Sequence, residues 1–127
     1  MTPPPLLLKH IEELKTQGYV IEVTESSGEI CIVFRDYPLP PDIWNRDKTD
    51  LMVIAQHVYP NPKLDMFWVT PGLTLKDGRM PQGGEAKEVH CGKEWQRFSW
   101  HPQSWNPARD NLITYLEVIN HRLGMGK

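Results

Sequence analysis

Proline stands at twelve of the 127 positions, and no other feature restricts the folding of this chain as strongly. Each proline lacks the backbone N–H that a helix interior or a central strand requires, so regular structure has to be fitted between them. They fall at the start, in Asp36-Tyr-Pro-Leu-Pro-Pro-Asp42, in Tyr59-Pro-Asn-Pro62, and singly through the second half. The first half is thereby cut into short periodic segments. The second half reads as loops on a scaffold, with Trp95, Trp100 and Trp105 packed beneath them as indole cover.

Between the prolines the periods are legible. Leu7, Ile11 and Leu14 recur at helical spacing opposite Lys9, Glu12, Glu13 and Lys15, and Gly18 stands where a helix would stop. On this reading His10 and His121 sit in charged helical segments and face solvent. Residues 19–25 and 29–35 are β-branched runs separated by Ser26-Ser27-Gly28, a hairpin signal. The proline segment 36–42 must then leave the sheet before residues 51–58 form a third strand, which would carry His57, and residues 65–70 a fourth. From Pro71 to Gly92 the chain is glycine, proline and charge without period, longer than an ordinary connection. The last helix is expected to open with Asn106 as cap and Pro107 in its first turn. Leu112, Leu116, Ile119 and Leu123 would share its buried face, and Gly124 would end it.

The expected fold is therefore α+β: an N-terminal helix, a four-stranded antiparallel meander, a long irregular segment and a C-terminal helix. At this length residues 1–127 make a single domain with one core. A formal charge of −2, with both signs interspersed, offers no basic stripe for phosphates and argues against nucleic acid. Two cysteines are too few for a disulfide framework; Cys31 reads as a small hydrophobe, which points to a reducing compartment. The start, Met1 to Lys9, has three consecutive leucines and no basic region ahead of them. It reads as neither signal peptide nor membrane span, so a cytoplasmic protein is expected.

Chemistry is concentrated between His90 and Pro107, where two histidines, a cysteine, two serines and three tryptophans precede the last helix. His90, Cys91 and His101 are possible metal ligands, but no Cys-x-x-Cys or His-x-x-x-His spacing organises them, and no metal or cofactor is expected. Cys91 lies between His90 and Lys93, cations that lower a thiol pKa if they face it; its alternative is an inert buried cysteine. Ser99 precedes His101 by two residues. In an extended segment both side chains project to one side, so the imidazole can take the hydroxyl proton; in a helix the pairing fails.

The order of elements, the Tyr59-Pro60-Asn61-Pro62 turn and Trp105-Asn106-Pro107 together resemble the ubiquitin-conjugating-enzyme superfamily. Its members carry a Tyr-Pro-x-x-Pro-Pro turn after the third strand and a Trp-x-Pro after the catalytic cysteine. The chain is most similar to the divergent bacterial branch, prokaryotic family E. It departs from the typical pattern by about twenty inserted residues after the fourth strand and by stopping where typical members add further C-terminal helices. The resemblance puts His90 at the histidine of the family's His-Pro-Asn motif, with Cys91 and Gly92 replacing the proline and asparagine, and Ser99 near the catalytic cysteine. It implies a carrier that takes a ubiquitin-like protein from an activating enzyme and passes it to an amine on a protein target. The acceptor would be Ser99, as an oxyester with His101 as base, or Cys91 if the alignment shifts. The rival reading is a non-catalytic module of the same fold that binds the ubiquitin-like protein or the activating enzyme.

Overall fold

The computed structural model describes residues 3–127; Met1 and Thr2, part of the start discussed above, lie outside them. Helix α1 (Pro5–Thr16) opens on proline, whose missing N–H costs nothing in a first turn, and buries Leu7, His10, Ile11 and Leu14 along one face. Gly18 follows at φ +103°, left-handed backbone that a residue without Cβ adopts freely. Strands β1 (Val20–Ser26) and β2 (Glu29–Pro38) pair antiparallel around Ser27 and Gly28. Both turn residues have positive φ, as a two-residue hairpin with right-handed strand twist demands.

The proline segment does not leave the sheet where the sequence suggests. Strand β2 continues to Pro38 through an irregularity between Phe34 and Tyr37, with Asp36 at φ +52°, and Tyr37 then pairs with Thr49 of β3 (Lys48–Ala55). A bulge absorbs the extra residue, and a proline at the strand end forfeits no essential ladder bond. Strand β3 thus starts earlier than expected and stops before His57, which lies in the following turn and faces Glu25 at 3.4 Å.

After β4 (Phe67–Val69) the sequence reading fails more substantially: among the described residues the sheet has six strands, not four. Strands β5 (Ala86–His90) and β6 (Lys93–Phe98) form a second hairpin inside the stretch expected to be irregular, and β6 docks on β4, giving the order β1-β2-β3-β4-β6-β5. Strand β5 is an edge strand with no fully buried residue, so it carries no apolar alternation to betray it.

Helix α2 (Leu112–Leu123) packs with α1 on one face of the sheet, over Ile30, Ile32, Phe34, Leu51, Phe67 and Phe98. The alternate residues Cys31, Met52, Trp68 and Trp95 form a second, smaller cluster on the opposite face. Among the described residues no helix is long and apolar enough to cross a membrane.

Candidate functional site

Ser99 lies immediately after β6. Phe98 before it belongs to the main core, Trp100 after it packs against the same core, and Trp100 N–H donates to Phe98 O at 3.0 Å, so the chain turns tightly at Ser99. Its backbone is held on both sides. Ser99 N–H donates to Gly83 O at 2.9 Å, and Met66 N–H donates to Trp100 O at 2.8 Å. A Cβ on Gly83 would meet Ser99 O at 3.3 Å, so the loop around Gly83 lies close against the serine. Ser99 itself is half-buried, and its hydroxyl makes no hydrogen bond to the described residues.

His101 is not joined to that hydroxyl. Its Nδ1 pairs with the carboxylate of Asp65, which the sequence reading treated only as the start of a strand. The imidazole lines a cavity of about 650 Å³ between residues 100–110 and α2, together with Trp100, Ser104, Trp105, Glu117 and His121. Pairing one ring nitrogen with a carboxylate fixes the ring and leaves the other without a hydrogen bond to the described residues. Ser99 and His101 are thus near in sequence and separately anchored.

The helix N-terminus is placed differently from the expectation. Helix α2 begins at Leu112, not at Pro107, because Asn111 supplies a full capping box. Asn111 Oδ1 accepts the N–H groups of Ile113 and Thr114 at 2.8 and 3.2 Å, Asn111 O accepts that of Tyr115, and the Tyr59 hydroxyl accepts that of Leu112 at 2.7 Å. No first-turn donor is left for a developing negative charge. Asn106 closes a turn instead, its carbonyl accepting from Arg109 and Asp110.

Cys91 lies at the tip of the β5–β6 hairpin, at φ +50°. The tip folds back over the second face of the sheet, and Cys91 is joined to the fully buried Cys31 of β2 by a disulfide, with Cα atoms 6.8 Å apart. This corrects the reading of Cys31 as an unbonded small hydrophobe and of the chain as thiol-bearing: both cysteines are bonded. A closed disulfide belongs to oxidising surroundings, so the cysteines no longer argue for a reducing compartment. His90 anchors the same tip. Its ring nitrogens face Glu88 at 2.9 Å and Glu29 of β2 at 3.2 Å. Burial disfavours the imidazolium, but these two carboxylates outweigh it and raise the His90 pKa. The hydrogen bond with His90 in turn lowers the Glu88 pKa, against burial and with help from Trp68 and Arg97.

Sequence reasoning missed Arg122. It lies on the buried face of α2, donates from Nη2 to Gln82 O at 2.8 Å, and stacks its guanidinium over Phe98 and Trp100 at 5.3 and 5.6 Å from the ring centroids. It therefore ties the loop beside Ser99 to the last helix; burial lowers its pKa. His10, expected in solvent, is buried and hydrogen-bonded to the Tyr59 hydroxyl at 2.8 Å. Trp95 is buried, and Trp100 and Trp105 pack against the core as cover for the loops. Among the described residues no three His, Cys, Asp or Glu side chains gather as a metal site.

The family model described as prokaryotic E2 family E matches residues 6–125. No curated protein and no solved structure matches the chain.

Proposed function

The chain belongs to prokaryotic E2 family E, and from that premise we propose that it is a carrier that accepts a ubiquitin-like protein from an activating enzyme on Ser99 and transfers it to an amine. Family membership supports a ubiquitin-conjugating-like role in general, with a ubiquitin-like protein and an activating enzyme as partners. The assignment to Ser99 rests on one observation: between β6 and α2 it is a half-buried residue whose hydroxyl makes no hydrogen bond to the described residues, on a backbone held by Gly83 and beside Met66, while Cys91 has no thiol to offer in its disulfide.

In the loading step, the Ser99 oxygen attacks the carbonyl carbon of the donor thioester. The hydroxyl proton passes to a base, for which His101 is the nearest imidazole in sequence, and the donor thiolate leaves. A serine hydroxyl is essentially un-ionised near neutral pH, so loading requires that base to be drawn toward Ser99 in the complex. In the discharge step an amine nitrogen attacks the oxyester carbon, the C–O bond breaks and the serine hydroxyl is regenerated. An oxyester is less reactive than a thioester, which places the burden on positioning the amine.

A second reading, a binding module without covalent chemistry, is favoured by the engagement of His101 with Asp65 and away from Ser99. Incubation with activating enzyme, ATP and the ubiquitin-like protein separates the two. The carrier gives an adduct that survives reductant, is cleaved by hydroxide and is lost in Ser99→Ala. The module binds with no adduct.

A further inference from the structure

The tip of the β5–β6 hairpin carries features that the Ser99 reading does not use. Cys91 occupies the first position of a two-residue turn, followed by Gly92, and both have positive φ. Glycine, asparagine and aspartate suit that first position, whereas a cysteine there holds an unfavourable conformation. Its bonded partner, Cys31, is fully buried beside Met52, Trp68 and Trp95, while Cys91 is half-exposed at the rim of the same cluster. The two sulfurs therefore have unequal prospects once the bond is opened. Burial in apolar surroundings keeps a thiol protonated and inert, and exposure beside cations favours the thiolate.

The tip also meets β1 at Thr24, and the charges around Cys91 come from its own hairpin, from β2 and from β3. His90 precedes it and faces Glu88 of its own strand and Glu29 of β2. Lys93 follows, 3.8 Å from Asp50 of β3 and over the Trp95 ring. The carboxylates partly balance these cations in the closed form. Opening the disulfide removes the covalent half of a double tether, because His90 and Cys91 both tie the tip to β2.

We propose that Cys91 is a second acyl acceptor held in reserve by its disulfide and exposed to a donor thioester only after a dithiol has reduced the bond to Cys31. This builds on the carrier reading and adds a redox condition to it. In the first step a dithiol exchanges with the disulfide: it is oxidised to its own disulfide, and Cys31 and Cys91 each gain a thiol. In the second, the Cys91 thiolate attacks the carbonyl carbon of the activating enzyme's thioester, forming a new thioester and expelling the enzyme's thiolate. The carrier then has two forms. The oxidised form loads only Ser99, as an oxyester, and the reduced form also loads Cys91, as a thioester that an amine discharges more readily.

The test compares the oxidised chain, the chain reduced by dithiothreitol and then freed of it, Cys31→Ser and Cys91→Ser. Each is incubated with activating enzyme, ATP and the ubiquitin-like protein and analysed with and without reductant. A reductant-sensitive adduct is expected in the reduced chain and, without prior reduction, in Cys31→Ser. It is expected to be absent from the oxidised chain and from Cys91→Ser, both of which retain the reductant-resistant adduct on Ser99. Loss of the Ser99 adduct alone would overturn the oxyester and leave the thiol acceptor standing. No reductant-sensitive adduct in Cys31→Ser would overturn the thiol acceptor and leave the oxyester standing. A readout independent of the carrier reaction is alkylation of the reduced chain by iodoacetamide. Cys91 is expected to react about tenfold faster than Cys31, and equal rates would also overturn the proposal.

Discussion

A single hydroxyl shows how strongly individual residues position this molecule's working parts. Tyr59 is buried, and its phenol pKa is pushed up to about 12 by that burial, against the pull of the Leu112 N–H, so it remains protonated. It accepts from Leu112 N–H, and its own proton can go to His10 Nδ1 in the neutral tautomer with hydrogen on Nε2, the charge state that burial of His10 favours. Tyr59→Phe leaves both partners without their bond in a buried place. We expect a loss of about 1–3 kcal/mol in urea unfolding; a loss indistinguishable from zero would mean that neither bond contributes.

The two buried or half-buried histidines carry opposite pH signatures. Burial lowers the His10 pKa, so its contribution is complete above the ordinary histidine value of 6.5 and is lost as pH falls below it. The His90 pKa is raised, so its contribution is complete below 6.5 and is lost as pH rises through the raised value. Unfolding free energy measured against pH should therefore decline on both sides. Substituting His90→Gln should remove the alkaline decline and, because His90 is the largest cause of the lowered Glu88 pKa, also reduce the part of the acid decline that Glu88 carries, leaving that of His10. Neither role was legible in the sequence, because charged neighbours made His10 look solvated and the partners of His90 arrive from β2 and β5.

At the level of elements, the sequence announced what has a period and concealed what is built from long-range pairing. Helix α1, the first hairpin and the buried face of α2 follow the apolar spacing, while β5 and β6 are pinned by β4 and by contacts across the sheet. The start of α2 was misplaced because Asn106-Pro107 satisfies the usual opening rule, yet Asn111 makes the capping box. Replacing Asn111 by Ala should cost about 1 kcal/mol of stability. Replacing Asn106 by Ala should cost less, since its side chain caps only a turn; equal costs would put the helix start in question. For the site, the segment was legible and its geometry was not. Ser99, His101 and Cys91 lie where chemistry-bearing residues crowd, but Asp65, Gly83, Arg122 and Cys31 reach them from elsewhere in the chain.

For the whole molecule, the disulfide is the longest covalent constraint, closing a sequence separation of 60 residues. The chain-entropy relation for a loop of that size gives about 4 kcal/mol of stabilisation through the unfolded state. Reduction should lower the unfolding midpoint accordingly. The unreduced chain, denatured, should titrate no thiol, and two thiols in that assay would refute the bond. Both helices lie on one face of the sheet and the hairpin tip closes over the other, while Trp100 and Trp105 pack the segment before α2 against the helix-side core.

The measurement that bears most directly on the carrier is the intact mass of the oxidised chain after incubation with activating enzyme, ATP and the ubiquitin-like protein, followed by peptide mapping of the attachment. The expected result is one added ubiquitin-like protein less one water, mapped to Ser99 and absent in Ser99→Ala. An unchanged mass, under conditions where the activating enzyme itself is charged and the two proteins bind, would contradict it.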